Sequence, residues 1–182
     1  MTDTHFSLPV GLLVGSKAVE IHRAAPRARL SLRARGNLSA LNKALGLTLP
    51  DKIGTRTTKA TVEALCLGPD EWVLIADDAA PLIANCAKIY DTLPHSLVDI
   101  SSREVTFKIS GPRATELLTL GWPRDPSSVA VGEGRRTVFD DASVVIWRDA
   151  DSTYRMDVWN SFATHLFHFM EVGCRELAAD LH

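Results

Sequence analysis

The spacing of apolar residues changes within one short stretch of this chain, and the change restricts the folds that the chain can adopt. In EVTFKIS, residues 104–110, apolar and polar residues alternate, which predicts a strand with one buried face. Gly111 and Pro112 end the alternation. RATELLTL, residues 113–120, then spaces its apolar residues at helical intervals. A strand followed directly by an amphipathic helix predicts a helix packed on a half-buried sheet.

The rest of the chain repeats both patterns. Further strands are predicted for ARLSLRA, for the runs 62–67 and 72–76 around a GPDE turn, for both sides of Asp140-Asp141, and for TYRMDVW. Further helices are predicted for GNLSALNKALG, APLIANCAKIYDTL and NSFATHLFHFMEVGCRELAADL. Long buried strands of the doubly wound type are missing. We therefore predict an α+β fold, with helices packed on a mostly antiparallel sheet.

Two regions of the chain are predicted. A length of 182 residues suits one domain. Residues 1–28, which include LPVGLLVG and HRAAPRAR, follow neither period, so we predict an irregular arm that is either frayed or docked on a partner. Residues 29–182 are predicted to form a single α+β domain.

Composition and charge argue against two classes of partner. The net charge is −2 and no basic cluster occurs, whereas nucleic-acid binding needs a basic face. No apolar run reaches the roughly 20 residues that span a bilayer. The N-terminal segment lacks the basic head of a signal peptide. We expect a cytoplasmic protein without a membrane or nucleic-acid partner.

Motifs that bind cofactors or perform hydrolysis are missing from the sequence. There is no GxGxxG, GxxxxGK[ST], GxSxG or HExxH. Cys66, Cys86 and Cys174 are far apart, which predicts buried free thiols rather than disulfides or a zinc site. We therefore predict no catalytic, cofactor-binding or metal-ligating residue in this chain.

Several polar residues have a functional and a structural interpretation. His165 and His168 lie three apart in the last predicted helix, as a metal-binding pair can, but packing or surface histidines are the favoured interpretation. Asp77-Asp78 and Asp140-Asp141 are expected to form turns rather than an acid and base pair.

The large aromatic residues are assigned to the core. Trp72, Trp147 and Trp159 all fall in predicted strands, so packing is their expected role. In the last helix, the predicted apolar stripe consists of Phe162, Leu166, Phe169, Met170 and Leu177.

Two acids lie where elements end. Asp99 begins a predicted strand, and Asp125 lies in a loop after a helix. Such positions often carry functional side chains, although an acid there is more often a cap or turn former.

The region around these two acids resembles the folate-binding aminomethyltransferase family, the glycine-cleavage T-proteins. That family typically shows an Asp-Val-Ser-His element, a strand, Gly-Pro-Asp-Ala, a leucine-bearing helix and an Asn-Asp-Val loop. The matching segments are VDISS, VTFKISGPRA, TELLTL and RDP. Residues 30–172 more closely resemble the gamma subunits of heterotetrameric sarcosine oxidase, through LGPDEWVLIAD, the DISSR segment, RRTVFDDASVVIWR and YRMDVWNSFATHLFHFM.

This resemblance implies a division of labour between subunits. The gamma chain has a fold like the folate-binding domain but is a structural, non-catalytic partner of the alpha, beta and delta subunits. The other subunits hold FAD, FMN, NAD and tetrahydrofolate. The assembled oxidoreductase converts sarcosine (N-methylglycine) and O2 to glycine and hydrogen peroxide, with formaldehyde or methylene-tetrahydrofolate as the one-carbon product. A related N-methyl amine is also open as the substrate.

Asp125 supports the alternative, a stand-alone tetrahydrofolate-binding aminomethyltransferase-like protein. It matches the functional Asp of the family's Asn-Asp-Val loop, but Arg124 and Pro126 replace the neighbouring residues. Arg124 is expected to pair with Asp125 and to lower its pKa. Ser102 likewise stands where the family usually has His. The subunit hypothesis is preferred.

Overall fold

The computed structural model describes residues 8–180 and contains strands, four α-helices and one 3-10 turn. The strands are β1 Gly11–Gly15, β2 Glu20–Arg23, β3 Ala28–Ala34, β4 Arg56–Lys59, β5 Val62–Gly68, β6 Glu71–Ala76, β7 His95–Asp99, β8 Glu104–Ser110, β9 Gly134–Phe139, β10 Ala142–Ala150 and β11 Thr153–Trp159. The helices are α1 Ser39–Leu45, α2 Ala80–Ala87, α3 Ala114–Thr119 and α4 Asn160–Ala179, and the 3-10 turn is Pro126–Ser128.

The chain divides into two compact units. The first contains the described residues up to Ala25, Ser102–Val131 and the residues from Arg136 onward. The second contains Pro26–Ser101 and Gly132–Arg135.

The first unit is built on a six-stranded sheet with the order β1-β2-β8-β11-β10-β9. The pairings β1–β2, β2–β8, β8–β11 and β11–β10 are antiparallel. Helix α4 packs against β8 and β11 and also contacts α3. The core between sheet and helices is mainly apolar, and its fully buried residues include Phe107, Ile146, Met156, Leu117 and Met170.

The second unit is built on a five-stranded antiparallel sheet with the order β4-β5-β6-β3-β7. Helices α1 and α2 contact each other. The core is formed by both helices and the sheet, with Leu30, Leu32, Leu41, Leu74 and Leu82 among its buried residues. Helix α1 ends at Gly46, which has a φ of 73°, and this left-handed conformation is the helix stop that the sequence predicts.

The α+β prediction with helices on antiparallel sheet is confirmed. None of the described helices is long and apolar enough to cross a membrane. The three cysteines are buried and free, as predicted.

The prediction of an irregular segment before residue 29 is wrong for β1 and β2. Strand β2 pairs with β8, and Ile21 is fully buried in the core of the first unit. Four residues are too few to show an alternating period, and their pairing partner lies far along the chain, so the pattern could not be seen in the sequence. Docking of this segment on a partner stays a prediction.

Two further strands, β4 and β7, were not expected from the sequence. Both lie at the edges of the second sheet. Arg56–Lys59 reads RTTK and contains no apolar residue, so hydrophobic alternation cannot reveal it.

Candidate functional site

Asp125, the acid with the strongest functional prediction, forms a local turn. It is the N-cap of the 3-10 turn, and its carboxylate accepts hydrogen bonds from the Ser127 N–H at 2.8 Å and from the Ser127 hydroxyl at 2.6 Å. Hydrogen bonds from Ser127 hold the pKa of Asp125 below its usual value, and the positive charge of Arg148 adds to this effect. The low pKa was expected, but Ser127, rather than Arg124, is its main cause.

This geometry does not fit a proton acceptor beside a folate one-carbon group. Both carboxylate oxygens of Asp125 receive hydrogen bonds from the same neighbouring residue. A lowered pKa also makes a carboxylate a weaker base. The structure therefore supports the turn-forming interpretation of Asp125.

Asp99 forms a similar turn in the second unit, with both hydrogen bonds on its Oδ1. Its carboxylate accepts hydrogen bonds from the Ser101 N–H at 2.9 Å and from the Ser101 hydroxyl at 2.5 Å. These bonds lower the pKa of Asp99. Asp99 and Asp125 thus lie in different units, and each stabilises its own turn.

The acidic pairs also lie at element boundaries, as predicted. Asp78 accepts a hydrogen bond of 2.9 Å from the Ala80 N–H at the start of α2. Asp140 has a φ of 53° in the connection between β9 and β10. Aspartate tolerates this left-handed conformation better than most residues do.

His165 and His168 do not pair with each other. His165 Nε2 lies 2.8 Å from Asp140 Oδ2 and 3.7 Å from Asp141 Oδ1, whereas His168 Nδ1 lies 3.4 Å from Glu171 Oε2. Asp140, Asp141 and His165 have ligand atoms within 4.8 Å of one another. All three side chains are exposed, and such groups are common without an ion, so we assign no metal to them.

The aromatic residues depart from the sequence expectation at one place. Trp72 and Trp147 are buried, as predicted, but Trp159 is 48% exposed. Phe162, assigned to the apolar stripe of α4, is 39% exposed, while Phe167 lies in the core instead. The expectation that Trp159 and Phe162 pack in the core is therefore wrong.

The position of these two residues at an element boundary explains their exposure. Trp159 is the last residue of β11 and the N-cap of α4, and Phe162 follows in the first turn of that helix. The guanidinium of Arg103 lies 5.3 Å from the centre of the Trp159 ring, within the range of a cation–π contact. We call Arg103, Trp159 and Phe162 the Trp159 patch.

Comparison with known proteins gives one family. The model of the sarcosine oxidase, gamma subunit family matches residues 34–176. Sarcosine oxidase subunit gamma of Corynebacterium sp. (strain P-1) is 27% identical over 168 residues, which cover 89% of this chain and 83% of the relative. Sarcosine oxidase subunit gamma of Arthrobacter sp. is 28% identical over 144 residues, which cover 78% of this chain and 71% of the relative.

Solved structures show the same relationship. A chain of the heterotetrameric sarcosine oxidase from Corynebacterium sp. U-96, solved in complex with pyrrole 2-carboxylate, superposes with a TM-score of 0.82 and 26% identity. The match covers 92% of this chain and 89% of that chain. The glycine cleavage system aminomethyltransferase T from Bartonella henselae has a TM-score of 0.67 at 13% identity, over 90% of this chain and 50% of that chain. This second likeness shows a shared fold.

Proposed function

This chain belongs to the sarcosine oxidase gamma subunit family, and we propose that it acts as a structural, non-catalytic subunit of a heterotetrameric sarcosine oxidase. The observation that carries this proposal is the match to a chain of the heterotetrameric enzyme over 92% of this chain and 89% of that one. In the proposed assembly, N-methylglycine, O2 and water yield glycine, hydrogen peroxide and formaldehyde. When tetrahydrofolate accepts the methyl carbon instead, the one-carbon product is methylene-tetrahydrofolate and no water is consumed.

We assign the redox and one-carbon chemistry to the companion subunits. Hydride transfer from an amine requires a redox cofactor. The candidate acids of this chain form turns through Ser101 and Ser127. We propose that alpha, beta and delta subunits hold FAD, FMN, NAD and tetrahydrofolate, and that the assembly is cytoplasmic.

The stand-alone folate-binding alternative has less support. It depends on Asp125 acting on a bound folate, and both oxygens of Asp125 accept hydrogen bonds from Ser127. The comparisons also favour the subunit reading, since the aminomethyltransferase match shares the fold at only 13% identity.

We still propose that segment 1–28 docks on a partner, but through strands of the first sheet and not as an irregular arm. Its strand β1 is an edge strand of the first sheet. Val10, which directly precedes β1, and Leu12, within it, are 54% and 57% exposed. An exposed apolar edge strand is often covered in an assembly. Because β1 belongs to the sheet, Val10→Ser and Leu12→Ser test docking more cleanly than deletion of the segment. Unchanged assembly of both variants would remove this segment from the proposal.

The proposal is tested by co-expression of this chain with the companion subunits of its own enzyme. We expect the chain to co-purify with them, and the purified single chain to show neither flavin absorbance nor sarcosine-dependent hydrogen peroxide release. Flavin or turnover in the single chain would contradict the proposal. The alternative is tested by titrating the single chain with tetrahydrofolate in a calorimeter, where we expect no binding heat.

A further inference from the structure

We propose that the Trp159 patch is a docking surface for a companion subunit, and that this subunit presents a carboxylate to Arg103 between apolar side chains. The inference rests on the proposed function, because it requires that companion subunits exist. It goes further by assigning a surface and the chemistry of the group that meets it.

The backbone around the patch is held in place by the first unit. The Asn160 N–H donates a hydrogen bond of 2.9 Å to the Arg103 carbonyl, and the Asn160 side-chain amide donates one of 2.6 Å to the Ser102 carbonyl. Glu104 pairs with Trp159 in the register of β8 and β11. The backbone at Arg103 and Trp159 is thus held in place without a partner, which lowers the entropy cost of binding.

The side chain of Asn160 is used for this attachment instead of for helix capping. Asn160 is the first residue of α4, and Trp159 occupies the cap position without a side-chain cap hydrogen bond. Its side-chain amide donates its hydrogen bond to the Ser102 carbonyl instead. This bond ties the segment before β8 to the start of α4, so Arg103 and Trp159 lie together.

The exposed aromatic surface favours burial by another protein. Trp159 and Phe162 lie within one helical turn of each other, with 48% and 39% of their surface exposed. Large aromatic residues bury extensive surface on association, and Trp and Arg are enriched among the residues that dominate binding energy. A patch with Trp, Phe and Arg has the composition expected at the centre of a protein interface.

The charge of Arg103 identifies the complementary group. Across the described residues, 8–180, the Arg103 guanidinium contacts the Trp159 ring and forms no ion pair or hydrogen bond. Other arginines of the first unit do reach carboxylates: Arg113 Nη2 lies 2.6 Å from Glu116, and Arg155 Nε lies 2.7 Å from Asp149. A guanidinium that lies beside an aromatic ring and has no carboxylate partner keeps its N–H donors available, and two of these donors can bind one carboxylate in a bidentate pair.

The test measures assembly of the complete set of subunits with substituted forms of this chain. Each variant is co-expressed with the companion subunits, and its affinity for them is measured by titration of the purified chain. For Arg103→Glu and Trp159→Ala we expect affinity to fall by about tenfold or more, the range of interface residues that dominate binding. Arg103→Gln, which removes the charge without reversing it, should weaken binding less than Arg103→Glu does.

Two matched controls show whether the effect belongs to the patch. Tyr90→Ala removes another half-exposed aromatic residue, and Arg175→Glu reverses the charge of another exposed arginine, which lies in α4. Both are expected to leave affinity unchanged. Because Arg103 and Trp159 are exposed, the thermal melts of their variants should match the native melt. If Trp159→Ala lowers the melting temperature, its weaker binding can come from lost stability. The affinity of Arg103→Glu then decides whether the patch is a docking surface.

The possible outcomes separate the two proposals. If the native chain does not bind the companion subunits, the proposed function fails. If the native chain binds and the patch variants bind equally well, the docking surface is wrong and the proposed function stands. If Arg103→Gln and Arg103→Glu weaken binding equally, the partner carboxylate is wrong.

Discussion

Trp147 Nε1 donates a hydrogen bond of 2.7 Å to Asp157 Oδ2, so a tryptophan and a carboxylate are joined inside the first unit. Thr106 donates a second hydrogen bond, 2.5 Å long, to Asp157 Oδ1. Trp147 and Asp157 are both almost completely buried. The guanidinium of Arg155 lies 4.6 Å from the centre of the Trp147 ring. The polar atoms of this cluster connect the neighbouring strands β8, β11 and β10.

Replacement of Asp157 by alanine is expected to destabilise the protein strongly. The substitution leaves the buried Trp147 N–H and the half-buried Thr106 hydroxyl without this acceptor. We expect the free energy of unfolding to fall by about 3 kcal/mol, measured by urea denaturation. Asp91→Ala, at an exposed position, should change it by less than about 0.5 kcal/mol. Equal effects of the two substitutions would show that the cluster contributes little.

The cluster shows how far an alternating pattern can predict a sheet. The sequence TYRMDVW correctly assigns Tyr154, Met156 and Val158 to one face, and all three are fully buried. The period does not reveal what happens on the opposite face. The burial of Asp157 depends on contacts with Thr106 and Trp147, which are distant in sequence.

The turns were easier to predict than the surface patch. An aspartate two residues before a serine is a local signal, and both Asp99 and Asp125 form the turns that such signals favour. The exposure of Trp159 and Phe162 depends on where β11 ends and where α4 begins. Phe162 fits the apolar stripe of α4, so the helical period assigned it to the core. Trp159 was assigned to the core because it lies in a predicted strand, although the alternation of TYRMDVW places it on the face opposite Tyr154, Met156 and Val158.

Gly111 is expected to tolerate no side chain. Its φ is +128°, and a Cβ atom there would lie 2.6 Å from the Ala18 carbonyl oxygen and 3.0 Å from the Val19 Cα. Since both neighbours are backbone atoms, rotation of a side chain cannot relieve the clash. For Gly111→Ala we expect a loss of about 2–4 kcal/mol in the free energy of unfolding. The measurement is chemical denaturation.

Gly11 is the matched control for this substitution. Its φ is +112°, and a Cβ atom there would have nothing within 4 Å. Gly11→Ala should therefore cost only the backbone strain of about 1–2 kcal/mol. A loss at Gly111 no larger than the loss at Gly11 would exclude the backbone clash as the cause.

Ser127→Ala is expected to raise the pKa of Asp125 toward its usual value of 3.8, because the hydroxyl hydrogen bond is the main cause of the lowered pKa. Carboxyl chemical shifts followed by NMR as a function of pH measure this change. The folded-state pKa is depressed, so the stabilising contribution is present above the usual pKa and is lost as pH falls through the folded value. An unchanged pKa in the Ser127→Ala variant would contradict the assigned cause.

Asp125→Asn is expected to leave the reaction of the assembled oxidase unchanged. An asparagine side-chain oxygen can still accept a hydrogen bond from the Ser127 N–H, so the turn is retained. Sarcosine-dependent oxygen consumption and formation of methylene-tetrahydrofolate are the two measurements. A loss of folate product with normal oxygen consumption would instead support a one-carbon role for Asp125.

Cys174 is expected to be unreactive in the native protein. Its side chain is 1% exposed on the inner side of α4, and burial raises the pKa of this thiol to about 11, with a further contribution from the charge of Glu171. Since the thiolate is the reactive form, iodoacetamide at pH 8 should label Cys174 only after unfolding, as measured by peptide mass spectrometry.

The raised pKa of Cys174 also makes stability depend on pH. Because the folded pKa lies above the ordinary value of 9.0, unfolding releases a proton between about pH 9 and pH 11, and the free energy of unfolding falls as pH rises over that interval. Cys174→Ala should reduce this fall in stability between about pH 9 and pH 11. Rapid labelling of Cys174 at pH 8 without denaturant would show that the thiol is not held in the core.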